Sequence, residues 1–147
     1  MHEQHKISCA DGFTIGVNLY HAAGSFGSSH NNKRSKGLVI IASALGIPQK
    51  FYRPYAEFLC ENNWTCITFD YRGTGDSKKS ETNQDYRLED WGIQDINAVL
   101  GFAEATVKMN AESVVDRRLQ PIHYVGHSIG GQLIGLAQKA NILSSIT

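Results

Sequence analysis

Apolar and polar positions sort this chain into short strands and amphipathic helices. Residues 6–9 and 13–20 read as two strands joined by a turn at Ala10-Asp11-Gly12, where glycine tolerates positive φ. Residues 21–36 are rich in Gly, Ser and Asn, lack apolar periodicity and predict a long surface loop. Residues 37–42 (GLVIIA) form a continuous β-branched run, as expected of a parallel strand covered on both faces. A helix is predicted over residues 51–61, where Phe51, Tyr55, Phe58 and Leu59 fall on one stripe. Pro54 fits there only in the first turn, where its missing N–H costs nothing. Residues 65–70 (TCITFD) predict a second buried strand and residues 71–80 a loop. Ile93, Ile96, Leu100, Ala103 and Val107 line one face of a helix over residues 90–108. Residues 122–125 (IHYV) predict a third buried strand, residues 128–140 a third helix, and residues 144–147 the start of another strand. The order is a hairpin followed by βαβαβα. It predicts a single α/β domain over residues 1–147, with a mainly parallel sheet and helices on both faces.

Composition agrees with a globular chain: of 147 residues, 41% are hydrophobic and 19% charged. Fourteen basic side chains balance fourteen acidic ones, so no steering field favours nucleic acid or an anionic membrane. Lys33, Arg34 and Lys36, and Arg117 with Arg118, read as solvated loop charges. No apolar run is long enough to cross a membrane, and the first residues, MHEQHK, lack the apolar stretch of a leader. Cys9, Cys60 and Cys66 are odd in number and widely spaced, which fits a reducing cytoplasm better than a disulfide framework or a zinc site. His2 and His5 stand on an expected frayed terminus and give no metal site by themselves.

One motif carries chemistry. Gly126-His127-Ser128-Ile129-Gly130 has the G-x-S-x-G form, between a predicted buried strand and a predicted helix. A nucleophilic serine needs a hydroxyl clear of the sheet, a base for its proton and N–H donors for the oxyanion. A sharp strand-to-helix turn meets the first need, and side chains two residues either side would collide. Gly126 and Gly130 hold those positions, and Gly131 adds clearance. The helix start would also favour developing negative charge. The bare pattern arises by chance in roughly one sequence in ten, and the flanking strand and helix make it far more specific. Ile129 N–H is the expected first oxyanion donor. The second should come from the loop after the first central strand, Ser43-Ala44-Leu45-Gly46-Ile47-Pro48, with Leu45 N–H the best candidate. Gly73-Thr74-Gly75 begins like a dinucleotide fingerprint, but Lys78 stands where the third glycine belongs. Arg72, Asp76 and Ser77 are expected to shape that loop. No cofactor and no metal is expected.

Four stretches together resemble the α/β-hydrolase superfamily, and more closely its bacterial serine aminopeptidase-like and lysophospholipase-like hydrolases. They are IIASALGIPQKFY at 40–52, FDYRGTGDS at 69–77, LEDWGIQDI at 88–96 and YVGHSIGGQ at 124–132. The resemblance implies Ser128 as nucleophile and Ile129 as oxyanion donor. It also implies that the loop after the first central strand often reads His-Gly-x, where this chain has Ser43-Ala44-Leu45. In such enzymes the catalytic acid and then the histidine follow the nucleophile. Here no histidine follows His127, which is not itself expected to be the base. The expectation is therefore the N-terminal half of a serine hydrolase for carboxylic esters or related small acyl substrates, inactive alone and with strand 122–125 left as an exposed sheet edge. A non-catalytic binding protein of the same fold, a nonfunctional fragment, and a peptidase or amidase on the same scaffold remain as alternatives.

Overall fold

The structure, a computed structural model, describes residues 2–26, 35–78, 85–110 and 120–147. The basic pairs Lys33-Arg34 and Arg117-Arg118, with most of the expected 21–36 loop, lie outside the described residues.

The chain opens with β1 (His2–Ser8) and β2 (Thr14–Tyr20), an antiparallel hairpin closed at Gly12, whose φ of 85° suits glycine. Then come β3 (Leu38–Ala42), α1 (Arg53–Glu61), β4 (Thr65–Phe69), the single turn α2 (Leu88–Asp90), α3 (Asn97–Met109), β5 (Ile122–Gly126), α4 (Ile129–Leu133) and β6 (Ser145–Ile146). They form one six-stranded sheet in the order β1-β2-β4-β3-β5-β6. β3 pairs in parallel with β4 and β5, β5 with β6, and the hairpin joins through β2 antiparallel to β4.

β3 and β4 are buried along their whole length. Their β-branched residues feed two cores. Leu38, Ile40 and Ile67 pack on one face with Ile96, Val99, Leu100 and Ala103 of the α3 side. Val39, Ile41 and Cys66 pack on the other with Tyr52 and Ala56 of the α1 side. The chain leaves β3 toward β4 through α1 and returns past it to β5 through α3. The strand order thus reverses at β3, between β4 on one side and β5 on the other. In α/β sheets, ligands bind at such a switch point.

Four details differ from the sequence reading. β1 begins at His2 rather than residue 6. His2 stacks on Tyr20, and Glu3 contacts His5 at 3.3 Å and His21 at 3.0 Å, so this terminus is paired rather than frayed. The stripe expected to bury α1 faces outward: Phe51 is 65% exposed, Tyr55 43% and Phe58 56%. Tyr52 and Ala56, one position on, point into the sheet, because the Gln49 and Tyr52 side chains are drawn inward by hydrogen bonds described below. The helix expected over 128–140 is broken into α4, a 3-10 turn at Ile134–Leu136 and another at Gln138–Ile142. Gly130, Gly131 and Gly135 each weaken a helix there by about 1 kcal/mol. Close packing then decides: a Cβ on Gly92 would sit 2.7 Å from Leu133 O, and Lys139 N–H donates to Asn97 Oδ1 at 2.9 Å. Finally, β5 is not the sheet edge. β6 covers it, pairing His123 with Ser145 and Tyr124 with Ile146.

The helix over 90–108 also carries an irregularity. Trp91–Ile96 is wound as a π-helix before α3 begins. It turns Asp95 fully inward, where it meets Arg72.

Candidate active site

Gly126 ends β5, and Ser128 caps α4. Ser128 stands at φ 55°, ψ −116°, a region L-residues avoid; among the described non-glycine residues only Asn63 shares a positive φ. Such a backbone costs on the order of 1–3 kcal/mol and persists only where its surroundings enforce it. The surroundings here are glycines. A Cβ on Gly126 would lie 2.4 Å from Gly131 N and Cα, and one on Gly130 would lie 2.7 Å from Ala42 O and 2.9 Å from Ser43 O. Gly131 is looser, at 3.1 Å from Gly126 O. Turn bonds from Gly130 N–H to His127 O and from Gly131 N–H to Ser128 O, at 3.0 and 2.9 Å, complete the bend. Beneath it, buried Tyr124 donates its hydroxyl proton to Gly130 O at 2.8 Å.

The result presents Ser128 to solvent, with no capping bond from its hydroxyl. Among the described residues, no imidazole or carboxylate is hydrogen-bonded to Ser128. The adjacent His127 engages its Nδ1 with the Tyr52 hydroxyl at 2.8 Å.

The loop after β3 is fastened to this turn. His127 N–H donates to Ala42 O at 3.0 Å. Farther along, Ala44 N–H donates to the Tyr52 hydroxyl at 3.0 Å, and Gln49 N–H donates to Asp70 Oδ1 at 2.7 Å. Between these ties, Leu45 N–H has no acceptor among the described residues, and neither does Ile129 N–H. The Leu45 side chain is 65% exposed. Ser43 Oγ is buried without a hydrogen-bond partner among the described residues.

The FDYRGTGDS segment is a buried anchor: Asp70, Tyr71, Arg72 and Ser77 are all buried. Asp70 accepts from Gln49 N–H, Gln49 Nε2 and Asp76 N–H, and Gln49 Oε1 accepts from Thr68 Oγ1. Ser77 Oγ donates to Asp70 O and accepts from Gly16 N–H, tying the loop to the hairpin. The Arg72 guanidinium lies over the Phe13 ring and bonds Asp11 at the hairpin turn and Asp95 in the π-helix, at 2.7 and 2.8 Å. Burial opposes its charge, but the two carboxylates hold its pKa above the usual arginine value. Arg72 in turn holds the Asp11 carboxyl below the ordinary range. Cys9 donates its thiol to Asp95, and burial pushes that thiol up to about 12.

A cavity of about 470 Å³ opens beside the loop, lined by Gly46, Pro48, Gln49, Lys50, Asp70 and the Gly73–Asp76 stretch. Ser128 does not line it. The sequence pointed to the elbow and to Leu45, but missed Tyr52, Gln49 and Asp95. An aromatic hydroxyl one position off the apolar stripe, and a glutamine and an aspartate inside otherwise apolar segments, were the available signals.

No protein-family model and no curated protein matches the sequence. Solved structures do. A serine hydrolase from Xanthomonas campestris described as lacking a lid is 16% identical, with a TM-score of 0.61 over 90% of this chain and 53% of its own. A thermostable carboxyl esterase from Bacillus coagulans, in complex with glycerol, is 16% identical, with a TM-score of 0.67 over 99% of this chain and 43% of its own. A monoglyceride lipase from Saccharomyces cerevisiae, bound to a substrate analogue, is 19% identical, with a TM-score of 0.65 over 99% and 43%. The chain thus spans about half the length of these relatives. Among the described residues no helix is long and apolar enough to cross a membrane. At these identities the likeness is one of fold, and the fold of this chain is the N-terminal part of the α/β-hydrolase fold.

Proposed function

We propose that Ser128 is the nucleophile of a serine hydrolase acting on carboxylic esters or related acyl compounds. The observation that carries this reading is the strained Ser128 backbone, on a strand-to-helix turn where a Cβ at position 126 or 130 would clash with backbone. Ser128 Oγ would attack the carbonyl carbon, forming a C–O bond while the carbonyl π pair moves to oxygen. Ile129 N–H and Leu45 N–H, neither with an acceptor among the described residues, would hold that oxyanion. Collapse would break the bond to the leaving alcohol, which takes up a proton, and water would then release the acid. The proton of Ser128 needs a base. His127 Nδ1 is engaged with Tyr52, so the reading takes the histidine and its orienting carboxylate from sequence beyond these residues. The esterase and lipase neighbours, twice as long, support it. Three free cysteines support a cytoplasmic setting.

The test is labelling with an alkyl fluorophosphonate, mapped by mass spectrometry. It uses the 147-residue chain and, where the reading frame continues past Thr147, the longer product. The longer product is expected to label at Ser128, and the short chain far more slowly, since loss of triad members costs on the order of 10⁴ to 10⁶ in rate. A longer product never labelled at Ser128 refutes the assignment and favours a non-catalytic protein of this fold. A panel of ester and amide substrates on the longer product separates esterase from peptidase chemistry.

A further inference from the structure

The Leu45 N–H can stabilise an oxyanion only if its position relative to Ile129 N–H is held, and its own side chain cannot hold it. At 65% exposure that side chain has almost no packing. The loop must therefore be fixed through its backbone. Its ends are fixed by Ala42 O against His127 N–H, and by Gln49 N–H against Asp70. Near its apex the fixing group is the Tyr52 hydroxyl.

This hydroxyl is placed by a side chain only 8% exposed, packed with Val39, Ile41, Ala56 and Cys66 on the α1 face. It accepts from Ala44 N–H at 3.0 Å, the residue before Leu45. Its other partner is His127 Nδ1 at 2.8 Å, in the residue before Ser128. A hydroxyl has one proton to give and lone pairs to receive with, so both bonds can form together, and the hydroxyl donates to Nδ1 when the imidazole carries its proton on Nε2. The imidazole meets the phenol ring edge-on, with centroids 6.0 Å apart. One oxygen atom thus spans the residues immediately preceding the candidate donor and the candidate nucleophile.

We propose that Tyr52 is a positioning residue of the Ser128 site. Its hydroxyl locks the Leu45 loop to the elbow and fixes the His127 tautomer, setting the spacing of the two oxyanion donors. The proposal rests on the reading of Ser128 as nucleophile. It uses no contact between Tyr52 and substrate.

The test uses the 147-residue chain, isotopically labelled, in four forms: wild type, Tyr52→Phe, Ser128→Ala and Ala56→Gly. Tyr52→Phe keeps the ring and deletes the hydroxyl. Ala56→Gly weakens the same helix and touches neither bond. In Tyr52→Phe, the Ala44 amide is expected to exchange at least about tenfold faster. His127 should lose its preference for the Nε2–H form in nitrogen-15 spectra. Phosphonylation of Ser128 by the alkyl fluorophosphonate, measured on the longer product with the same substitutions, should fall about fivefold. Ala56→Gly should lower the melting temperature yet keep the tautomer and the labelling rate.

Unchanged Ala44 exchange and tautomer in Tyr52→Phe would overturn the proposal, as the bridge would not be holding the loop. Faster exchange with unchanged Ser128 labelling would reduce Tyr52 to a packing residue and overturn it as well, as would an equal labelling loss in Ala56→Gly. Labelling of the longer product no faster than of its Ser128→Ala variant is a different failure: it overturns the nucleophile reading itself, and the positioning role falls with it.

Discussion

Gly130→Ala is the sharpest perturbation of the elbow. The added Cβ would sit 2.7 Å from Ala42 O and 2.9 Å from Ser43 O. Carbon and oxygen rarely approach within about 3.3 Å, so the overlap is about half an ångström at two points. Both obstacles are backbone oxygens, and Ala42 O already accepts from His127 N–H, so neither can swing away as a side-chain tip would. Either β3 and its loop retreat or the first turn of α4 tilts. Overpacking of this kind costs roughly 1–3 kcal/mol. At about 3–5 °C per kcal/mol for a chain of this size, the melting temperature should fall by roughly 3–15 °C. Gly135→Ala is the internal standard. Its Cβ would meet nothing within 4 Å, so the substitution should be neutral or mildly stabilising. Thermal and urea unfolding of the two variants beside wild type provide the assay, with Ser128 labelling as the second readout. Labelling should drop in Gly130→Ala, because the same shift separates Ile129 N–H from the Leu45 loop. A Gly130→Ala protein that melts within a degree of Gly135→Ala would show that the elbow is not wedged against β3, and the steric account of the motif would fail.

The remaining predictions concern the anchors around the site. Asp95→Ala leaves the Arg72 guanidinium, 3% exposed, without its buried partner and should cost on the order of 3–5 kcal/mol, read by urea unfolding. Asp11 is held below the ordinary carboxyl range by Arg72, so its contribution is present above the unfolded carboxyl pKa near 4 and is lost as pH falls through the folded value. Acid titration of stability should therefore steepen below about pH 4 in wild type and less so in Asp11→Asn. With the thiols of Cys9 and Cys60 pushed up to about 12 and about 11 by burial, iodoacetamide at pH 8 should leave Cys9 unmodified in the folded chain and react with Cys60 only slowly, as a mass-spectrometric footprint would show. Ser43→Ala removes a buried hydroxyl that has no partner and should leave stability equal or raise it by about 1 kcal/mol in the same unfolding assay.

What sequence could and could not show here follows from the range of the interactions involved. The runs LVIIA and TCITF are buried on both faces, so composition alone marks them as central strands, and the structure makes them β3 and β4. The elbow was legible because part of its constraint is local: a Cβ on Gly126 would meet Gly130 and Gly131, within a few residues of Ser128, while one on Gly130 would meet the distant Ala42 and Ser43. The orientation of α1 was not legible, since its apolar stripe supports two faces about a residue apart. The choice between them is made by bonds from Tyr52 to His127 and from Gln49 to Asp70, far away in sequence. The break in the last helix was hidden for a similar reason. Its cause is the close approach to Gly92 and the tie to Asn97, which no periodicity within residues 128–140 records.

The same contrast bears on how the site is built. The residue that would do the chemistry is signalled by its neighbours in sequence. The residues that would aim the oxyanion donors are signalled only by polar atoms at positions where pattern alone would accept a hydrocarbon. Gln49 and Asp95 are each buried in otherwise apolar surroundings, and burial of an amide or carboxylate is unfavourable unless bonded. Each is bonded more than once: Gln49 to Thr68 inside β4 and to Asp70 at its carboxyl end, and Asp95 to Arg72 in the loop that follows. Polar cost inside the sheet layers is thus converted into fixed loop geometry on the rim, around the exposed Ser128. If that reasoning holds, Gln49→Leu, close in volume to the native side chain, should retain most of the stability but let the Gly46–Pro48 backbone move. Faster hydrogen exchange of the Ile47 amide, which donates to Ala44 O, would reveal it, and unchanged protection there would mean that the Asp70 network serves folding alone.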